Sequence, residues 1–132
     1  MQKLLADLDD AFREVPRPKI TKSVARGLDD EWILSDERAQ ELASLDPEKD
    51  WHEVTESDVN TFQEYFNFSD VEGWRFYLPA FIRYYLLNLE SPSSDAGDAV
   101  YLACTSPNPK FDLLSPAQMK CIKEFIDIID ET

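Results

Sequence analysis

Glycine is almost missing: three occur in 132 residues, at Gly27, Gly73 and Gly97. Without the residue that enters left-handed backbone freely, tight hairpins and phosphate-cradling loops have little to be built from. Helices joined by proline and polar turns are favoured instead. Imidazole is scarcer still, with His52 alone, and the two cysteines, Cys104 and Cys121, stand 17 apart with no Cys-x-x-Cys pattern. A transition-metal centre wants several imidazoles or thiolates. Nucleophilic catalysis wants a base beside a serine or cysteine, and His52, set between Trp51 and Glu53, reads as an exposed or structural histidine. No Gly-rich phosphate loop or dinucleotide fingerprint occurs. Asp7, Asp9 and Asp10 form an Asp-x-Asp-Asp run, but neither the loop glycine nor the closing glutamate of a calcium site follows. The expectation is a protein that is not an enzyme and uses no metal or cofactor.

Long apolar runs are also missing. The longest, Phe76 to Leu89, is 14 residues with Arg83 inside it, too short to span a bilayer. Met1 to Val15 carries Asp7, Asp9, Asp10 and Glu14, which the apolar stretch of a signal peptide does not tolerate. A cytoplasmic protein with two reduced, buried thiols is expected, a single disulfide being the alternative.

Positive charge is the last scarcity: 13 lysines and arginines face 27 acids, a net charge of −14. The cations gather early. Arg13, Arg17, Lys19, Lys22 and Arg26 against Glu14 leave +4, whereas Asp29 to Asp58 holds twelve acids against Arg38 and Lys49, leaving −10. Such a field repels nucleic acid and anionic membranes and attracts basic partners.

What the chain does have is aromatics. Residues 62–85 hold ten of its sixteen: Phe62, Tyr65, Phe66, Phe68, Trp74, Phe76, Tyr77, Phe81, Tyr84 and Tyr85. Each can bury ~150–250 Å², so the core belongs here. Leu4, Leu5, Leu8 and Phe12 recur at helical spacing and predict a helix from about Gln2 to Glu14, ended by Pro16 and Pro18. Arg17 to Leu28 has little periodicity and reads as a loop or extended arm. Asp29 to Leu45 reads as one broken or two short helices, with Ser35 as an internal N-cap and Ile33, Ala39, Leu42 and Leu45 on the apolar side. Trp51, alone among charges, anchors a connection onto the core. Thr55 or Ser57 caps a helix from about Glu56 to Phe66. Ser69 and Glu72 have capping-box spacing and predict a helix start at Asp70. Pro79 is expected to break or kink that helix, and a second one runs to about Glu90 with Phe81, Ile82, Tyr85, Leu86 and Leu89 inward. Ser91 to Gly97 reads as a loop, and Ala99 to Cys104 fits either helix or strand. Ser115, Pro116 and Gln118 combine an N-cap, a first-turn proline and a capping-box glutamine. The helix they start places Met119, Ile122, Ile126 and Ile129 on one side. The fold class is all-α: residues 1–132 as a single domain, a compact bundle of five to seven helices around an aromatic-rich central helix pair, with the Ser115 helix packed across it.

The run Phe68 to Phe81, with Tyr77-Leu78-Pro79-Ala80-Phe81 at its centre, resembles a small uncharacterised bacterial family known only as a domain of unknown function. The resemblance extends from Trp51 to Leu89. It implies no activity and carries over no catalytic residue.

Small size, local acidity and missing catalytic chemistry lead to one functional expectation. It is a protein that holds a basic protein partner on its acidic face, as an immunity protein or antitoxin would. Asp29, Asp30, Glu31, Asp36, Glu37 and Glu53 supply charge, and Trp32 and Trp51 supply anchors. The alternative is a small-molecule-binding or enzymatic pocket between the aromatic helices, lined by Tyr77, Arg83, Tyr84 and Tyr85. Oligomeric state is left open.

Overall fold

The structure, a computed structural model, describes residues 2–89 and 96–131, whose regular elements are seven α-helices and two short 3-10 turns. Helix α1 (Gln2–Ala11) buries the stripe Leu4, Leu8 and Phe12. Glu14, at φ 57°, turns the chain out of the helix before Pro16 and Pro18. The segment expected as an arm is in part a helix: α2 spans Lys22–Glu31. Its inward face is Lys22, Val24, Ala25 and Gly27, so a charge and a glycine stand where the apolar stripe of a helix would be. Helix α3 (Asp36–Ala43) starts on Ser35, whose hydroxyl accepts from the Arg38 N–H. Ile33 and Leu45, expected on its apolar side, are exposed.

A 3-10 turn at Trp51–Glu53 follows, closed by Asp50 and Glu53 as a capping box. Helix α4 (Glu56–Thr61) starts on Thr55, with Asp58 completing the box. It stops short of Phe66, and the aromatic chain resumes as a second 3-10 turn, Tyr65–Asn67. Helix α5 (Val71–Leu87) is capped by Asp70, whose side chain accepts from the Gly73 N–H, rather than by Ser69. The expected helix pair is therefore one helix, with Pro79 in its interior. An interior proline costs about 3 kcal/mol. Leu78, Phe81 and Ile82 beside it are fully buried and contribute about 1.5–3 kcal/mol each, so burial keeps the helix going. Of the loop expected over Ser91 to Gly97, residues 91–95 lie outside the described residues, as does Glu90, and α6 (Ala96–Cys104) resolves the helix-or-strand choice as helix. Helix α7 (Pro116–Asp130) begins on the expected Ser115 capping box.

Helix α5 is the hub, touching α1, α4, α6 and the Trp51 turn. Helix α7 lies on α1 and α6 rather than across α5, which it meets through the Tyr85 and Phe125 rings, 5.4 Å apart edge to face. Its buried positions are Gln118, Cys121, Ile122 and Phe125, with Met119 facing out. Gln118 ties both ends of the chain together. Its amide oxygen accepts from the Ser115 N–H at 2.9 Å, and its amide nitrogen donates to the Ala11 carbonyl at 2.9 Å, closing the end of α1. Trp51 does the same for the next carbonyl, donating from its indole to Phe12 at 3.0 Å. Cys104 and Cys121 are both free and buried. No helix among the described residues is long and apolar enough to cross a membrane.

Candidate functional site

The corner between α2 and α3 is built to protrude. Helix α3 buries none of its residues, so it is placed by a few ties. Gly27 gives the first, since a Cβ there would run into the Leu42 side chain on α3. Arg38 gives the second, pairing with Glu31 and Glu41 at 3.2 Å each. Arg17 gives the third, donating to the carbonyls of Ala43 at 2.8 Å, the last residue of α3, and of Asp46 at 2.8 Å and Glu48 at 2.5 Å just beyond it.

At the apex the backbone folds tightly. Trp32 has φ 64° and ψ −50°, and the Ile33 N–H donates to the Glu31 carbonyl at 2.7 Å. This is a γ-turn of the rare, positive-φ kind, which strains any residue with a side chain. It carries an apolar pair into water: Trp32 is 86% exposed and Ile33 87%. Around it, Asp29, Asp30, Asp36 and Glu37 are exposed and pair with no cation among the described residues, whereas Glu31 is held by Arg38. On one side of Trp32 lies an open groove of about 610 Å³ between α2 and residues 67–69.

Of the residues read from sequence as partner-binding, the structure gathers Asp29, Asp30, Glu31, Trp32, Asp36 and Glu37 at this corner. Two stand elsewhere. Trp51 is 1% exposed, so it offers no face to a partner; its indole serves the Phe12 carbonyl instead. Glu53 is used locally, its carboxylate accepting from the N–H groups of Lys49 at 3.0 Å and Asp50 at 2.9 Å. Ile33 was missed. Its signal was its place between the last acidic residue of α2 and the Ser35 cap, outside both helices.

The aromatic pocket residues do not line one cavity. Tyr77 is buried with its hydroxyl on Glu48 at 2.8 Å, and Tyr84 shares its hydroxyl with the Asn60 side chain at 2.9 Å. Tyr85 stacks edge-on against Phe125. Arg83 lies over the Trp51 ring and donates to the His52 carbonyl at 3.0 Å. Arg83 and Tyr84 share a shallow cleft of about 380 Å³ with Glu53 and Glu56, which Tyr77 and Tyr85 do not reach.

The acidic stretch is not all outside. Asp46 and Glu48 are buried, and between them sits the Lys22 ammonium, 2.7 and 2.8 Å from the two Glu48 oxygens and 3.0 Å from Asp46 Oδ1. The Tyr77 hydroxyl donates into the same knot and accepts from the Lys22 backbone N–H at 3.1 Å. Burial alone would lower the Lys22 pKa, but the hydrogen bonds its ammonium donates to Glu48 and Asp46, with their charges, outweigh it and raise it. Burial alone would raise Asp46, but hydrogen bonds led by the Ser23 hydroxyl outweigh it and hold the carboxyl low. Burial and the Glu48 charge push Tyr77 up, and burial pushes Tyr65 up. Buried charges that satisfy one another are a structural device: this knot pins the base of the corner onto α5.

His52 stands outside the knot, its ring stacked on Trp51 with centroids 3.7 Å apart. Its two nitrogens face Asp50 at 2.5 Å and Asp9 at 2.7 Å, linking the 3-10 turn to α1. Among the described residues, no group of three or more histidines, cysteines and acids is placed to hold a metal ion. No curated protein and no solved structure matches the chain. A family model does, over its whole length: residues 1–132 belong to the Family of unknown function (DUF6714).

Proposed function

We propose that this protein is a cytoplasmic binding protein, not an enzyme, that captures a basic protein partner on the corner between α2 and α3. Trp32 carries the reading: a side chain 86% exposed in a strained turn, with Asp29, Asp30, Asp36 and Glu37 around it engaging no cation among the described residues. A tryptophan beside an isoleucine is the kind of anchor that supplies most of an interface's affinity when a partner covers it. The acidic field around it speeds encounter with a cation-rich surface and turns away nucleic acid and anionic lipid. An immunity protein or antitoxin facing a basic toxin uses the same physics.

Affinity capture on the immobilised chain at low and at high salt tests this. A basic protein should be retained at low salt, released as salt screens the field, and lost from a Trp32→Ala variant. Recovery of no basic protein at low ionic strength sinks the reading.

A further inference from the structure

Resting on that reading, we propose that the partner's seat is the groove beside Trp32, and that its occupant is a chain segment carrying an arginine next to an aliphatic side chain. The last turn of α2 has two unlike sides. Asp30 and Glu31 face a smaller cleft of about 200 Å³ shared with Arg26 and Arg38, where two arginines lie beside the two acids: Arg38 pairs with Glu31 at 3.2 Å and Arg26 with Glu64 at 2.8 Å, while Asp30 itself is unpaired among the described residues. Leu28, Asp29 and Trp32 face the larger groove, closed opposite by Asn67, Phe68, Ser69 and Lys110. Among the described residues that line it the one cation is Lys110, whose ammonium donates to the Ser69 carbonyl. Asp29 has no partner among the described residues.

The groove therefore combines an apolar floor, made by Leu28 and Phe68, with an aromatic wall and an unmatched carboxylate. A purely apolar occupant would leave Asp29 unanswered. A second copy of this chain is disfavoured, because each copy carries −14. A cation answers Asp29, and arginine fits better than lysine. Its planar guanidinium stacks on an indole face and still offers a fork of donors to a carboxylate, whereas an ammonium is a point charge. A neighbouring leucine or similar residue then covers the floor.

Titration of the isotope-labelled full chain, followed by amide and indole NMR signals, tests the assignment. The indoles of Trp51 and Trp74 already donate to the Phe12 and Phe66 carbonyls, so the Trp32 indole is the reporter and the other two verify the fold. The probe is acetyl-Gly-Arg-Leu-Gly-amide, beside its lysine and citrulline counterparts. The arginine probe should move the Trp32 indole and the Leu28 and Phe68 amides saturably. The lysine probe should require roughly threefold more or higher, and the citrulline probe should do nothing. Asp29→Asn should weaken the arginine probe to a similar degree. Trp32→Gly, whose backbone accepts positive φ, should abolish the response with the Trp51 and Trp74 signals unmoved. Equal responses to arginine and lysine, or shifts confined to other surfaces, overturn the groove and leave salt-dependent capture of a basic partner to stand or fall by its own test.

Discussion

Helix α5 hides eleven of its seventeen residues and α3 hides none of its eight, so the two are held in place by different physics. Around α5, apolar burial is strong enough to carry an interior proline. At the α2–α3 corner little is buried, and position depends on one glycine contact and the reach of Arg17 and Arg38. A region made of packing tolerates polar substitution poorly. A region made of ties can keep its shape while its surface residues change, which suits a surface that meets a partner. The Lys22 knot lies where the two meet.

Breaking that junction should have the largest effect. Lys22→Ala leaves Asp46 and Glu48 buried without their cation and should cost about 3–5 kcal/mol in denaturant unfolding. A loss comparable to an exposed substitution would mean the corner is not rooted there. Alkaline titration probes the same knot without mutation. Lys22, Tyr65 and Tyr77 all hold their protons more tightly folded than unfolded. Their contribution is complete at neutral pH and declines progressively as pH climbs from their ordinary values, 10.5 for the lysine and 10.0 for the tyrosines, towards their raised folded values. The unfolding midpoint should drop steeply above pH 10, and less steeply in Tyr77→Phe. A flat profile to pH 11 would contradict the knot. Asp46 acts with the opposite sign: its contribution is present above 3.8 and lost as pH falls through its lowered folded value.

A smaller effect is expected from Gln118→Ala, which strips one buried partner each from Ser115 and Ala11 and should cost about 1–3 kcal/mol. Hydrogen exchange at the end of α1 should rise with it. The smallest effect sharpens the comparison most. Trp32→Gly relieves the positive-φ turn and removes a side chain that packs on little, so thermal stability should stay level or rise by up to about 1 kcal/mol while partner capture disappears. A clear loss of stability would make Trp32 a structural residue and remove the reason for regarding the corner as a binding surface.

How much of this could be read from sequence depended on how local the cause was. The caps at Ser35, Thr55 and Ser115 were legible because a cap is decided within four residues. The aromatic middle was legible as core because its burial is large whatever the fold. Pro79 was expected to break or kink the helix and begin a second one, but α5 runs through it as one helix, since the local rule is outweighed by burial that only the assembled bundle supplies. Helix α2 was missed because Lys22 and Gly27, residues of solvent and turns, occupy its inward face. The acidic corner and Trp32 were legible by type, as charge and as an isolated aromatic. Trp51 met the same description and went inside, because what separates the two tryptophans is the Phe12 carbonyl waiting for one of them. The knot left no trace in sequence: Lys22, Asp46, Glu48 and Tyr77 span 55 positions, and each alone looks like a surface group or a core ring.

The amide that Gln118 gives to Ala11 has a consequence for how the chain comes off the ribosome. The two residues are 107 positions apart, and synthesis proceeds at roughly 5–20 residues per second. The Ala11 carbonyl at the end of α1 therefore waits on the order of 5–20 s for the amide that closes it. A nascent chain stalled short of Gln118 would keep that carbonyl open, which makes the closing of α1 a late step in folding.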